Sequence, residues 1–184
     1  GTPYAGSTRL LPIASGYATN IYNGSVISIV AGGTVEIVTD LGNNADVFPA
    51  GVVGVFVGCT YTDPNLGTVV FRNNWPTGTV ADDAQAYIVD DPDVIFMAQA
   101  DGAVTQADLG QNTNFAAVQS TTTGDTTNGN SNSAVSSTTA VTATIAFRIV
   151  DFVDSPTSTV GDAFTDLLIK FNAGIHSYDN ATGI

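Results

Sequence analysis

The sequence predicts an all-β fold, an antiparallel β-barrel or sandwich of about nine to ten short strands with little helix. Three observations carry that expectation. The stretch from Gly51 to Gly102 consists of short runs rich in Val, Ile, Phe and Tyr. These are punctuated by Asp-Pro, Pro-Thr-Gly, Asp-Asp-Pro-Asp and Asp-Gly, the signature of successive antiparallel strands. Of the 17 acidic residues only Glu36 is a glutamate, and aspartate competes with the helical backbone where glutamate supports it. Finally, no strand pattern alternates with a long helical one, which argues against a doubly wound fold, and no period of repeats suggests a solenoid.

Taken in order, the residues from Gly1 to Pro12 contain Pro3, Gly6 and Pro12 without apolar periodicity, and are expected to form an extended N-terminal arm. The remainder, 13–184, is expected to be a single β-rich domain. Tyr17 to Ile21 and Ser25 to Val30 flank Asn23-Gly24, a strong short-range hairpin signal. Thr34 to Thr39 places Val35 and Ile37 on one face. Val52 to Cys59, Thr68 to Arg72 and Gln85 to Asp90 follow, with the loop NNWPTGTVADD between the last two. Val94 to Ala100 is a nearly continuous hydrophobic run and is expected to be covered on both faces. Thr105 and Asp108 suggest a capped helical turn. Thr121 to Thr138 lacks aromatic residues and is expected to be a long exposed loop or hairpin tip. Ala140 to Phe152 then alternates as the longest strand candidate, Asp166 to Phe171 is the final strand, and NAGIHSYDNATGI is a polar tail.

Composition narrows the function classes. The formal net charge is −13 and the cations are only Arg9, Arg72, Arg148 and Lys170, too few for a basic stripe, so no nucleic-acid partner is expected. No apolar run reaches the ~20 residues of a membrane helix, so no membrane partner is expected either. GTPYAGSTRLLPIASG lacks the charged and apolar regions of a secretory signal. The single cysteine, Cys59, lies in the apolar run VFVGCTY and reads as a buried small hydrophobe.

Catalytic chemistry finds little purchase. A nucleophile triad needs a base, and the single histidine is His176 in GIHSY; no Gly-x-Ser-x-Gly elbow accompanies it. One Cys and one His cannot supply three zinc ligands. Asp82, Asp83, Asp90, Asp91 and Asp93 fall within a dozen residues. They read as turn-formers before they read as a cation site or a catalytic pair, because a loop carboxylate held in water keeps its ordinary pKa. No enzyme activity, metal or cofactor is expected. Trp75, in the loop NNWPTG, reads either as an interface anchor or as a lid on the end of the barrel.

The order GVFVG, then FRNNWPTGT, then AYIVDDPDVIF resembles a group of small structural proteins of marine tailed bacteriophages that decorate or cement the head. The likeness also takes in LPIASGYATNIYNGSVI, Gly110-Gln111-Asn112, Phe147-Arg148-Ile149-Val150 and GDAFTDLLIKFNAGIHSY, and departs in Gly1 to Arg9 and in the Thr-Ser-Asn loop. It implies a capsid decoration protein, a homotrimer bound to the major capsid protein on the outer face of the virion and made in the host cytoplasm. On that basis the arm and the Trp75 loop are the expected contacts with the shell or a sister subunit: Pro3, Tyr4, Arg9, Leu10, Leu11, Pro12, Trp75 and Pro76. Two other classes remain open, a tail- or fibre-associated virion protein and a carbohydrate-binding module. The module would need a second aromatic beside Trp75, for which Tyr61 and Tyr87 are the candidates.

Overall fold

In the computed structural model the described residues are 8–43, 48, 50–181 and 183. They contain β1 (Arg9–Pro12), β2 (Ile21–Tyr22), β3 (Val26–Ile29), β4 (Val35–Ile37), β5 (Val52–Thr62), β6 (Val69–Arg72), β7 (Asn74–Trp75), β8 (Gln85–Val89), β9 (Phe96–Gln99), β10 (Asn112–Thr113), β11 (Phe147–Phe152) and β12 (Asp166–Phe171). Three of these twelve are two-residue pairings, which leaves nine longer strands. The protein is all-β, and every strand pairing is antiparallel. A six-stranded sheet runs β1-β8-β5-β3-β4, with β6 also on β5; a four-stranded sheet runs β10-β11-β12-β9; β2 pairs β7. The sheets pack as a sandwich and do not close into a barrel.

The eleven-residue β5 organises both cores because its alternate residues serve different faces. Val53, Phe56, Cys59 and Tyr61 join Ile27, Trp75, Ala86 and Ile88 in one core, roofed by the β2–β7 pair. Val52, with Val55 packed beside it, joins Val26, Phe147, Leu167, Ile169 and Phe171 in the other, under the four-stranded sheet. Gly54 permits the tight β5–β8 approach: its φ is +148°, and a Cβ there would lie 2.0 Å from the Val89 carbonyl oxygen. Only glycine fits.

Several expectations need correction. Arg9–Pro12 is not part of a free arm, since it pairs along β8 from Arg9 opposite Ile88 to Pro12 opposite Gln85. Leu11 faces the core, and Pro12 sits at an edge where its missing N–H costs nothing. Pro3 and Tyr4 lie outside the described residues. Asn23-Gly24 does turn the chain, with Gly24 at φ +93°, but it makes no hairpin. Ile21 and Tyr22 are buried and pair instead with Trp75 and Asn74.

Val94–Ala100 is not covered on both faces. β9 is an edge strand whose Phe96 and Ala98 face the core while Met97 stands 66% exposed. The expected strand from Ala140 begins only at Phe147, because β12 offers six residues of partner and no more. Before it Val141 is 88% exposed, and the Asn172 amide donates to the carbonyls of Ala143 and Ile145, holding that segment in a turn. The segment after Phe171 is not a polar tail throughout: Ile175 and His176 are buried, and the Ser177 N–H donates to the Val52 carbonyl.

The polar segment Thr121 to Thr138 does form a hairpin tip, closed by a bridge between Gly124 and Ser131. Side chains bond to nearby backbone to hold it, as Asp125 does with the Thr127 N–H and Asn128 with the Asn130 N–H. It is also stapled inward, because Val135 is buried and the neighbouring Gln119 is fully enclosed. Gln119 accepts from the Val26 N–H and donates to the carbonyls of Val26 and Val38. The helical turn near Thr105 is present as a 3-10 turn, Gln106–Asp108, capped by Asp108 bonds to the Thr105 N–H and hydroxyl.

Candidate interaction surface

The four-stranded sheet covers only part of the face that it packs against. Val55 lies under it, but beyond the bulge between Phe56 and Gly58 the outward residues of β5 are Gly58, Thr60 and Thr62. Register fixes what surrounds them, since directly opposed residues of an antiparallel pair share a face. Tyr87 is opposite Gly58, and Leu10 is opposite Tyr87. On the other side Phe71 is opposite Thr60 and Val69 is opposite Thr62. These side chains form one apolar patch: Leu10 is 50%, Phe71 59% and Val69 71% exposed, and the Phe71 and Tyr87 rings meet edge to face at 5.7 Å. The tip of the Phe71 ring packs over Gly58, where a Cβ would stand 2.6 Å from it. Glycine at 58 therefore lets two aromatic rings join across the strand between them. Contiguous exposed apolar surface is the kind of surface that contact sites use.

The rim is polar and fixed. Thr62 donates its N–H (3.0 Å) and its hydroxyl (2.6 Å) to the Asp83 carboxylate, which holds that group below the usual carboxylate range. At the opposite edge Arg9 donates to the Tyr178 hydroxyl, which donates to Asp90 at 2.6 Å, and Arg9 lies 3.5 Å from the same carboxylate. Burial and the Asp90 bond raise the Tyr178 pKa. This cluster ties β1 and the segment after β12 to the end of β8.

The residues expected to make contacts are therefore divided. Leu10 and Pro12 lie on the exposed face, Leu11 packs inward, and Arg9 belongs to the clamp with Tyr178. Trp75 does not serve as an interface anchor. It is fully buried, its Nε1–H donates to the Tyr17 carbonyl at 3.2 Å, and Tyr61 meets it edge-on at 5.3 Å. A loop with one large ring beside a proline and a glycine looks exposed in sequence, but the β2–β7 pairing turns that ring inward. Pro76 is half-buried beside it. Phe71 and Val69 were missed, and Tyr87 was weighed only as a partner ring for Trp75, although the alternation VVFR against the glycine of GVFVGCT carried the signal.

Cys59, His176 and Asp91 are held in local contacts. Cys59 is buried, and burial pushes its thiol up to about 12. His176 is enclosed: its Nε2 bonds to the Val53 carbonyl at 2.8 Å and its Nδ1 accepts from the Tyr178 N–H, so burial holds the ring neutral with a lowered pKa. Asp91 accepts from the Asp93 N–H within its own turn. Among the described residues no three His, Cys, Asp or Glu side chains are grouped to hold a metal ion, and no helix is long and apolar enough to cross a membrane. No family model, no curated protein and no solved structure matches the chain.

Proposed function

We propose that this chain is a virion structural protein that decorates and cements the outer surface of a tailed-phage head, bridging major capsid subunits as a homotrimer. The observation that carries the proposal is the apolar half-face of the six-stranded sheet, where Leu10, Phe71 and Val69 stand exposed beside half-buried Tyr87 and no other element among the described residues packs over them. A cement protein needs such a surface and needs no bond-making chemistry. It acts by burying apolar area across a joint, at about 25 cal/mol per Å². Three copies around one axis multiply a modest contact through effective concentration. The surplus of aspartate suits a face turned to solvent, where it keeps particles apart.

Fluorescently labelled protein added to purified particles tests the proposal. Label spread over the whole head is the expected result. Label at one vertex points to a tail or fibre part, and label released by soluble glycans points to a carbohydrate-binding module. The buried positions of Trp75 and Tyr61 deny that last reading its expected aromatic platform.

A further inference from the structure

A cleft of about 540 Å³ opens between β9 and the six-stranded sheet, within the size range of ligand sites. Its floor is apolar and aromatic, formed by Val26, Val55, Phe115, Phe147, Ile169 and Phe171. Its rim is Gln99 and the segment Ser131 to Val135. No lining residue carries a charge, in a chain whose net charge is −13.

One wall is the open edge of a strand. β9 pairs on one side only, with β12. The Gln99 carbonyl points to the other side, where it accepts the Val135 N–H at 3.0 Å. Antiparallel ladders alternate, so the N–H and C=O of Met97, two residues back, also turn away from β12. Val135 serves this edge at Gln99 and, through the Asp101 N–H, just beyond it. At Met97 no backbone partner among the described residues stands opposite. The sandwich is thus short of a strand between β9 and the face of β3 and β5, with the apolar and aromatic lining of the cleft beneath the gap.

We infer that this cleft takes an extended peptide segment of a partner protein, added as a strand along β9. The chemistry of the occupant follows from the walls. Met97 supplies one donor and one acceptor for a ladder, and the aromatic floor receives every second side chain. The uncharged lining requires that the inserted stretch carry no charge, since an ion moved there loses its hydration without gaining a counter-charge. The four residues of β9 span roughly 13 Å, enough for a short stretch of strand. The inference goes beyond head decoration, and its test uses the isolated protein without particles, so either can fail alone.

The probe is a blocked, uncharged hexapeptide alternating valine with serine, titrated into the isotope-labelled protein and followed by amide NMR. The expected result is shifts confined to Phe96–Gln99, Ser131 to Val135, Val26 and Val55, with the Met97 amide gaining protection from hydrogen exchange. The same peptide, N-methylated at the amides that face β9, should bind at least tenfold more weakly, and Met97→Pro, which removes the edge donor, should weaken the parent peptide similarly. The N-methylated probe leaves the protein untouched, so the test survives a misfolded variant. Equal binding of both peptides, or tighter binding of decanol at the same residues, would make the cleft an apolar pocket and overturn the inference. So would absence of shifts at millimolar peptide, or concentration-dependent shifts at Met97 and Gln99 before any peptide is added, which would place a second copy there.

Discussion

Replacing Phe71 by serine separates adhesion from folding. A fully enclosed phenylalanine buries about 200 Å². With Phe71 59% exposed, roughly 120 Å² remains for a partner, worth about 3 kcal/mol at ~25 cal/mol per Å². That corresponds to about a hundredfold in Kd. The rest of the ring, against Gly58 and Tyr87, contributes about 2 kcal/mol to folding, plus about 1 kcal/mol for the edge-to-face contact. The control is Ile37→Ala in the buried core, which costs a comparable 2–5 kcal/mol or so of stability without touching the patch. Both variants are measured by urea denaturation and by co-sedimentation with undecorated heads at a temperature where each is folded. Phe71→Ser should lose about two decades of affinity and Ile37→Ala none. Equal affinities for Phe71→Ser and the parent, or equal losses in the two variants, would refute the assignment of the patch as the contact.

Three further outcomes follow from the same geometry. Gly54→Ala should destabilise by more than about 3 kcal/mol, combining a glycine-only φ with a backbone clash, whereas Gly33→Ala, at φ +75° with open space around it, should cost only about 1–2 kcal/mol; urea midpoints compare the two. The His176 pKa is lowered in the fold, so below pH ~6.5 the unfolded chain takes up a proton first. Stability should therefore fall as pH drops from 6.5 towards the folded pKa, and His176→Gln should flatten that part of the pH profile. The Cys59 thiol, enclosed and pushed up to about 12, should resist a disulfide reagent at pH 8 and react fully once urea unfolds the chain.

The elements that could be read from the residues are those whose local pattern and tertiary setting agree. β12 alternates and is flanked by turns, and Asp166–Phe171 is where the pattern places it; Thr105 and Asp108 cap their turn as their spacing requires. The misread elements are those whose setting lies far along the chain. Alternation from Ala140 onward could not reveal that Asn172 would bond back to Ala143 and Ile145. The apolar run of β9 could not reveal an edge position, because hydrophobicity reports a preference for burial and not the presence of a cover. Of the candidate contacts, Leu10 and Pro12 were found through their place near the chain start, whereas Phe71 and Tyr87 become neighbours only across Gly58, a relation that register alone creates. Trp75 was misplaced because its local sequence is that of a loop, while its burial depends on Ile21 and Tyr61.

The central claim is that the chain works by laying the bare half of its larger sheet against a protein shell. A cryo-imaging reconstruction of heads carrying the protein, at a resolution that separates strands, tests it most directly. The account predicts density for three copies per site with Leu10, Val69, Phe71 and Tyr87 facing major capsid subunits; a map in which that face looks into solvent, or in which the heads carry no such density, contradicts it.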